Sequence, residues 1–135
     1  MENNFIEIYF NQEHSIQYNI WKATTKNATW QEMQKTMLFY SSALELYKPK
    51  FILVSEKKLL YAWIPENQEW IDQIIVPILL KLEIQKFAIV QNEDIFHAVA
   101  AEQLMSEANA KNLETRFFDN FEEAENWLIS QKQFV

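Results

Sequence analysis

The chain has 135 residues, of which 49% are hydrophobic, so it is long and apolar enough to form about one domain. Its 12 basic and 19 acidic residues give a net charge of −7, which disfavours binding to nucleic acid or to an anionic membrane surface. It contains no cysteine and no glycine, which excludes disulfides, cysteine nucleophiles, glycine-rich phosphate loops and the nucleophile elbow of hydrolases.

Two strands joined by a short connection are predicted first. Residues 5–10 alternate weakly between apolar and polar side chains, and residues 16–21 alternate clearly. The polar stretch 11–15 between them is typical of a hairpin connection. The first strand is therefore expected to be an antiparallel edge strand.

A capping box predicts the first helix. Thr29 and Glu32 have the spacing at which the hydroxyl and the carboxylate each accept a hydrogen bond from a free backbone N–H group. The helix should end at Lys48 and Pro49. Its buried stripe is predicted to consist of Trp30, Met33, Met37, Tyr40, Leu44 and Tyr47.

The centre of the chain reads as strand, crossover helix, strand. Residues 51–55 and 86–91 are short apolar runs typical of strands buried on both faces of a parallel sheet. Residues 57–64 are either a short extra strand or a loop. Pro77 should bend the helix between the two strands, because it cannot donate to the carbonyl of Gln73. The predicted apolar stripe of this helix is Trp70, Ile71, Ile74, Ile75, Ile78, Leu79 and Leu82.

The remaining elements complete one α/β layer fold. The polar residues 92–94 are predicted to cap a helix that runs to about residue 108. A strand at 113–119 and a helix capped by Asn120 follow. The order is β-β-α-β-α-β-α-β-α, without an internal repeat. We therefore predict a single α/β domain over residues 1–135, with a mainly parallel sheet and an antiparallel N-terminal edge strand.

Four phrases of the sequence resemble a known family. They are YKPKFILV, EWIDQIIVPILLKL, KFAIV and ETRFFDNFEEAENWL, which begin at Tyr47, Glu69, Lys86 and Glu114. The chain resembles the SpoIIAA-like, or STAS, fold, and in particular small bacterial STAS-like proteins of unknown role. The resemblance implies four βα turns in one STAS-like domain.

The chain also departs from the STAS pattern. The family usually has V-D-x-R after the apolar strand, where this chain has Val54-Ser55-Glu56-Lys57. It commonly has a glycine after the proline-containing helix, where this chain has Leu82-Glu83-Ile84. The D-S-x-G context of the phosphorylated serine in anti-sigma-factor antagonists is missing, so the resemblance gives little support to phosphorylation-driven partner switching.

Polar residues follow the predicted parallel strands at their carboxyl ends, where open α/β sheets bind ligands. This candidate strand-end rim consists of Ser55, Glu56, Asn92, Asp94 and Asp119. The alternative interpretation is that Asp94, Asp119 and the neighbouring Asn120 only cap helices and form turns. Ser55 is either a phosphorylation site or an ordinary loop residue.

A metal site would need more ligands than the sequence brings together. Glu93, Asp94 and His97 lie within one helical turn, where a pair of residues three apart could supply two ligands. No third and fourth ligand stands at a usable spacing, and His14 could join them only through the fold. Glu66 and Glu69 are ordinary acidic residues for the start of a helix. No catalytic residue, metal or cofactor is therefore predicted.

Aromatic residues, at 15% of the chain, are in excess. Tyr61 and Trp63 are among those that fit no helical stripe or strand face, and they serve either as a protein-binding surface or as bulky core. We predict a non-enzymatic cytoplasmic module that binds a protein partner or a second copy of itself through them. The longest apolar run, residues 74–80, is too short to span a membrane.

Two other functions remain open from the sequence. A small apolar-ligand or lipid carrier is the alternative, which the STAS resemblance permits, and it would need a cavity of about 300 Å³ or more. An enzyme using the strand-end carboxylates would need a deep polar pocket with strongly shifted pKa values.

Overall fold

The computed structural model describes residues 1–92 and 114–130 of the chain. Its strands form one five-stranded sheet in the order β1-β2-β3-β4-β5. β1 pairs antiparallel with β2, and the other neighbours are parallel. The predicted α/β sheet with its antiparallel N-terminal edge strand is thus confirmed. The strands are β1 (Ile6–Asn11), β2 (Ile16–Trp21), β3 (Phe51–Ser55), β4 (Lys86–Val90) and β5 (Glu114–Phe118).

The described helices largely follow the prediction. A 3-10 helix at Ala23–Asn27 precedes the first α-helix. The α-helices are α1 (Trp30–Tyr47), α2 (Pro65–Ile74), α3 (Val76–Lys81) and α4 (Phe121–Ser130). Residues 57–64 belong to neither a helix nor a strand, so the loop interpretation of this segment is the one observed. The predicted helix that starts at residue 93 lies outside the described residues.

α1 begins at the predicted capping box. The backbone N–H of Glu32 donates to Oγ1 of Thr29 at 3.1 Å, and the backbone N–H of Thr29 donates to Oε1 of Glu32 at 2.9 Å. Both bonds satisfy N–H groups that a helix start leaves without a partner. The capping box therefore fixes where α1 starts relative to β2.

The central helix is interrupted at Ile75, two residues before Pro77, although the backbone of Ile75 stays in the right-handed helical region. α2 ends at Ile74, and α3 begins at Val76. The buried face runs through Ile71, Ile75 and Leu79, whereas Ile74 is 40% exposed. The predicted stripe was therefore too wide at Ile74, which lies at the edge of the face that Ile71 and Ile75 define.

Three residues of the described ranges occupy the left-handed region that glycine favours. Ser15, Lys48 and Glu83 have φ angles of 55°, 47° and 57°. A residue with a side chain pays on the order of 1 kcal/mol for this conformation. Lys48 ends α1, and Glu83 lies in the turn between α3 and β4. The tight turn after the proline-containing helix is thus made here without glycine.

The sheet contributes to two hydrophobic clusters, one on each face. Ile52 and Val54 of β3 belong to the larger cluster, together with residues of α1, α2 and α3. Phe51 and Leu53 of the same strand belong to the smaller cluster, together with residues of α4. The connections from β2 to β3 and from β3 to β4 each lead to the next strand in the same direction across the sheet. Because such crossover connections have the same handedness, their helices lie on the same face of the sheet.

Candidate functional site

A cavity of about 70 Å³ lies between the sheet and the helices α1, α2 and α3. Most of its wall is apolar. β2, β3 and β4 supply its floor, and the helices supply its sides. The lining residues are Trp21, Met37, Tyr40, Val54, Glu56, Trp63, Gln68, Ile71, Ile75, Val76, Leu79, Phe87 and Ile89.

Local sequence patterns place these side chains in the cavity wall. Val54 of β3 pairs with Ile89 of β4, so both point to the face that α1 covers. Met37 and Tyr40 are three residues apart on α1 and therefore share one helical face. The wall thus combines residues that are distant in sequence.

Glu56 is the acidic residue of the cavity. It directly follows β3, and its backbone N–H donates to the carbonyl of Val90 at 2.8 Å, which anchors it beside the end of β4. The residue as a whole is only partly buried. Its carboxyl atom Oε1, however, is shielded from solvent and makes no hydrogen bond within the described part of the chain.

Burial sets the protonation state of Glu56. Removal of the carboxyl from water raises its pKa to about 8, from an ordinary value of 4.5. At neutral pH the group is therefore mainly the neutral acid, which can both donate and accept a hydrogen bond. Tyr40 is the other titratable group among the described lining residues, and burial raises the pKa of its hydroxyl, so it stays neutral.

Tyr61 and Trp63 lie together in an aromatic cluster beside the cavity. Their ring centroids are 5.0 Å apart, and the Trp63 ring lies 6.4 Å from both Trp21 and Trp30. The Tyr61 hydroxyl donates to Oδ1 of Asn67 at 3.3 Å, and partial burial raises its pKa. Both residues are partly buried and pack against the core. Trp63 therefore lines the cavity and is also partly exposed to solvent.

The exposed apolar surface of the loop 57–64 comes from its aliphatic residues. Leu60 is 42% exposed and Ile64 is 50% exposed. They flank Tyr61 and Trp63 along the loop. The sequence pattern drew attention to the aromatic pair, whereas the aliphatic neighbours present more of their surface to solvent.

The other residues of the predicted strand-end rim have different environments. Ser55 is buried in the last position of β3, so a kinase could reach its hydroxyl only if the strand end opened. Asn92 is also buried, and its side-chain amide donates to the carbonyl of Leu59. Asp119 is exposed, and Asp94 lies outside the described residues. Of the four rim residues that the structure describes, Glu56 alone lines the cavity.

The predicted capping role next to Asp119 is observed. Oδ1 of Asn120 accepts a hydrogen bond from the backbone N–H of Glu123 at 2.8 Å, at the start of α4. This is the ordinary capping contact of a helix N-terminus. The side chain of Asn120 therefore caps α4, as the capping interpretation of the sequence predicted.

Within residues 1–92 and 114–130, no group of three or more histidine or acidic side chains is placed to hold a metal ion. Over the same residues, no helix combines the length and apolar character needed to cross a membrane. His97, one of the metal-ligand candidates from the sequence, lies outside these ranges. Comparison of the chain with protein-family models, with curated proteins and with solved structures found no significant match.

Proposed function

We propose that the protein is a non-enzymatic, STAS-like cytoplasmic module that binds a small ligand in the cavity beside Glu56. One observation carries the proposal. Glu56 lines an apolar cavity, and one oxygen of its carboxyl group is buried without a hydrogen bond to any described residue. Buried polar groups are nearly always paired, because an unpaired one costs about 1–3 kcal/mol. A ligand with one polar group would supply the missing partner.

The size of the cavity limits the ligand. At about 70 Å³, it is well below the roughly 300 Å³ expected of a site for a drug-sized or lipid ligand. A water molecule takes up about 30 Å³ in the liquid, so the cavity has room for a few non-hydrogen atoms. The volume therefore favours a small molecule over a carried lipid.

The groups in the cavity favour binding over catalysis. Among the described lining residues, Glu56 and Tyr40 are the titratable groups, and Tyr40 stays protonated. A catalytic site ordinarily adds a nucleophile, an oxyanion donor or a second acid–base group at hydrogen-bonding distance. We therefore assign Glu56 to ligand recognition.

Small probe molecules, together with a variant whose larger side chains fill the cavity, test the proposal. 1-Propanol and n-propylamine serve as small probes, and binding is followed through the indole N–H resonances of Trp21 and Trp63 in NMR spectra. We expect at least one probe to shift these resonances saturably. The double substitution Val54→Ile/Val76→Leu adds one methylene group at each of two lining positions, and we expect it to weaken binding by about tenfold or more.

Val90→Leu is the matched control. Val90 is equally apolar and buried but belongs to the cluster on the opposite face of the sheet. This variant should retain probe binding. Absence of saturable binding by both probes, or equal binding to the filled variant, would contradict the proposal.

A second candidate function is self-association through the loop 57–64. The observation in its favour is the exposed pair Leu60 and Ile64 beside the predicted contact residues Tyr61 and Trp63. Apolar side chains with adjacent aromatic residues are typical of protein interfaces. The partner in this candidate is a second copy of the chain.

A further inference from the structure

We propose that the polar group of the ligand is a protonated amine, so that the cavity is a site for a small alkylammonium ion. This inference rests on the proposed function and names its ligand class. It is carried by three features of the cavity: its single carboxyl group, its aromatic wall and its lack of a basic side chain among the described lining residues.

The carboxyl group determines the sign of the ligand charge. Glu56 has no described basic side chain beside it in the cavity wall, so a cation that enters would supply the opposite charge for its ionised form. An ammonium group would donate a charge-assisted hydrogen bond to the carboxylate, which is stronger than a bond between neutral groups. An anionic ligand would meet a carboxyl group and no described basic side chain, with the Gln68 amide and the Tyr40 hydroxyl as the other polar side chains of the described wall. A hydrocarbon would leave the carboxyl group without a partner.

The aromatic wall favours a cation as well. Trp21, Tyr40, Trp63 and Phe87 all line the cavity. The rings of Trp21 and Trp63 stand at 77° to each other with their centroids 6.4 Å apart. Aromatic faces attract ammonium groups, and cages of such rings are a common way to bind amines.

The charge of the whole chain acts in the same direction. A net charge of −7 raises the local concentration of cations and repels anions over most of the surface.

The rival ligand is a neutral carbonyl compound, which would accept a hydrogen bond from the protonated acid. The two ligand classes differ in the protonation state of Glu56 that they require.

This difference gives opposite dependences on pH. An ammonium ion binds the carboxylate and displaces its proton, so its affinity should rise as the pH rises towards about 8, the pKa of Glu56. A carbonyl ligand needs the acid, so its affinity should fall over the same range. Tyr40, the other titratable group in the described wall, stays neutral throughout.

The experiment compares n-propylamine with 1-propanol, which has the same number of non-hydrogen atoms. Each probe is titrated into the full chain at pH 6, 7 and 8, with NMR detection. We expect millimolar dissociation constants, because so few atoms limit the binding energy. The affinity for the amine should increase by about fiftyfold between pH 6 and pH 8, while that for the alcohol should stay nearly constant.

Calorimetry on the wild-type protein provides a second, independent test by measuring proton release. Titration of the amine at pH 7 in two buffers with different ionisation enthalpies should show release of nearly one proton per bound amine. Glu56→Gln should lower the affinity for the amine by at least about tenfold at pH 8 and remove its pH dependence. The same variant should bind 1-propanol as well as the wild type does.

The outcomes separate this inference from the proposed function. Binding of 1-propanol together with equal or weaker binding of the amine at pH 8 would overturn the amine assignment and leave the cavity as a ligand site. A fall in affinity for the amine with rising pH, or binding without proton release, would also overturn it. Failure of both probes to bind would overturn the proposed function itself. Because proton release is measured on the wild type, the test does not depend on the folding of Glu56→Gln.

Discussion

Glu56 couples the stability of the fold to pH. Its pKa is about 8 in the folded chain, against an ordinary value of 4.5. The folded state therefore keeps a proton that the unfolded state loses above about pH 4.5. Its contribution to the free energy of unfolding is fully present below that pH and falls as the pH rises to about 8, by up to about 1.4 kcal/mol per pH unit.

Glu56→Gln should remove this pH dependence. The variant keeps the shape of the side chain but cannot ionise, so we expect its stability relative to the wild type to increase from pH 5 to pH 8. Urea unfolding at pH 5, 6.5 and 8 measures the difference. Glu69→Gln, at an exposed position of α2, is the control and should show no such trend. A constant difference between Glu56→Gln and the wild type across this range would show that the carboxyl group is not desolvated.

The sequence could predict the position of Glu56 but not its chemistry. Ser55 and Glu56 were placed at the rim because they follow an apolar strand, and ligands bind at such strand ends. The raised pKa arises from burial in a cavity to which Trp21, Tyr40 and Trp63 contribute. These residues come from β2, α1 and the loop after β3, so their convergence depends on the tertiary fold and leaves no signal in local spacing.

At the scale of elements, β2 shows how burial can contradict a local pattern. Alternation of polar and apolar residues is typical of a strand with one face in water. Here Gln17 and Asn19 on the polar side have no exposed surface, because they point to the same face of the sheet as Trp21, which α1 covers. Nε2 of Gln17 donates to Oδ1 of Asn19 at 2.9 Å. Within the described residues, Oε1 of Gln17 and Nδ2 of Asn19 make no hydrogen bond.

This amide pair should show strong coupling in a double-mutant cycle. Gln17→Met or Asn19→Leu alone leaves the other amide buried without its partner, so each should lower the free energy of unfolding by about 1–3 kcal/mol. The double substitution removes both amides and should be more stable than either single variant, with a coupling energy of about 0.5–3 kcal/mol. Urea unfolding of the four proteins measures it. Additive losses would mean that packing, rather than the amide bond, dominates at these positions.

At the scale of the whole molecule, strong local patterns predicted the architecture. The bounds of β2 and β3 agree with the predicted ranges 16–21 and 51–55, and the capping box placed the start of α1. These features depend on alternation, apolar runs and fixed spacings, which are local. STAS membership remains a proposal, because the phrases that carry the resemblance consist mainly of core and capping residues.

The charge of the chain bears on self-association. Two copies with a net charge of −7 each repel one another. Any dimer that forms through the loop 57–64 must therefore depend on apolar contact from Leu60 and Ile64, which are 42% and 50% exposed. Salt shortens the range of the repulsion to about 10 Å at 0.1 M and about 3 Å at 1 M but leaves apolar contacts in place. The association should consequently become tighter as salt is added.

Sedimentation equilibrium at low and high salt tests this candidate. We expect a dimer whose dissociation constant falls by about tenfold or more between 0.05 M and 0.5 M sodium chloride. Leu60→Ser/Ile64→Ser should abolish the dimer and leave the unfolding midpoint nearly unchanged, because both side chains are largely exposed. Leu38→Ser/Leu46→Ser is the matched control, since these leucines of α1 are 48% and 62% exposed. If the α1 variant loses the dimer instead, or if the chain is monomeric at every salt concentration, the loop 57–64 is not the interface.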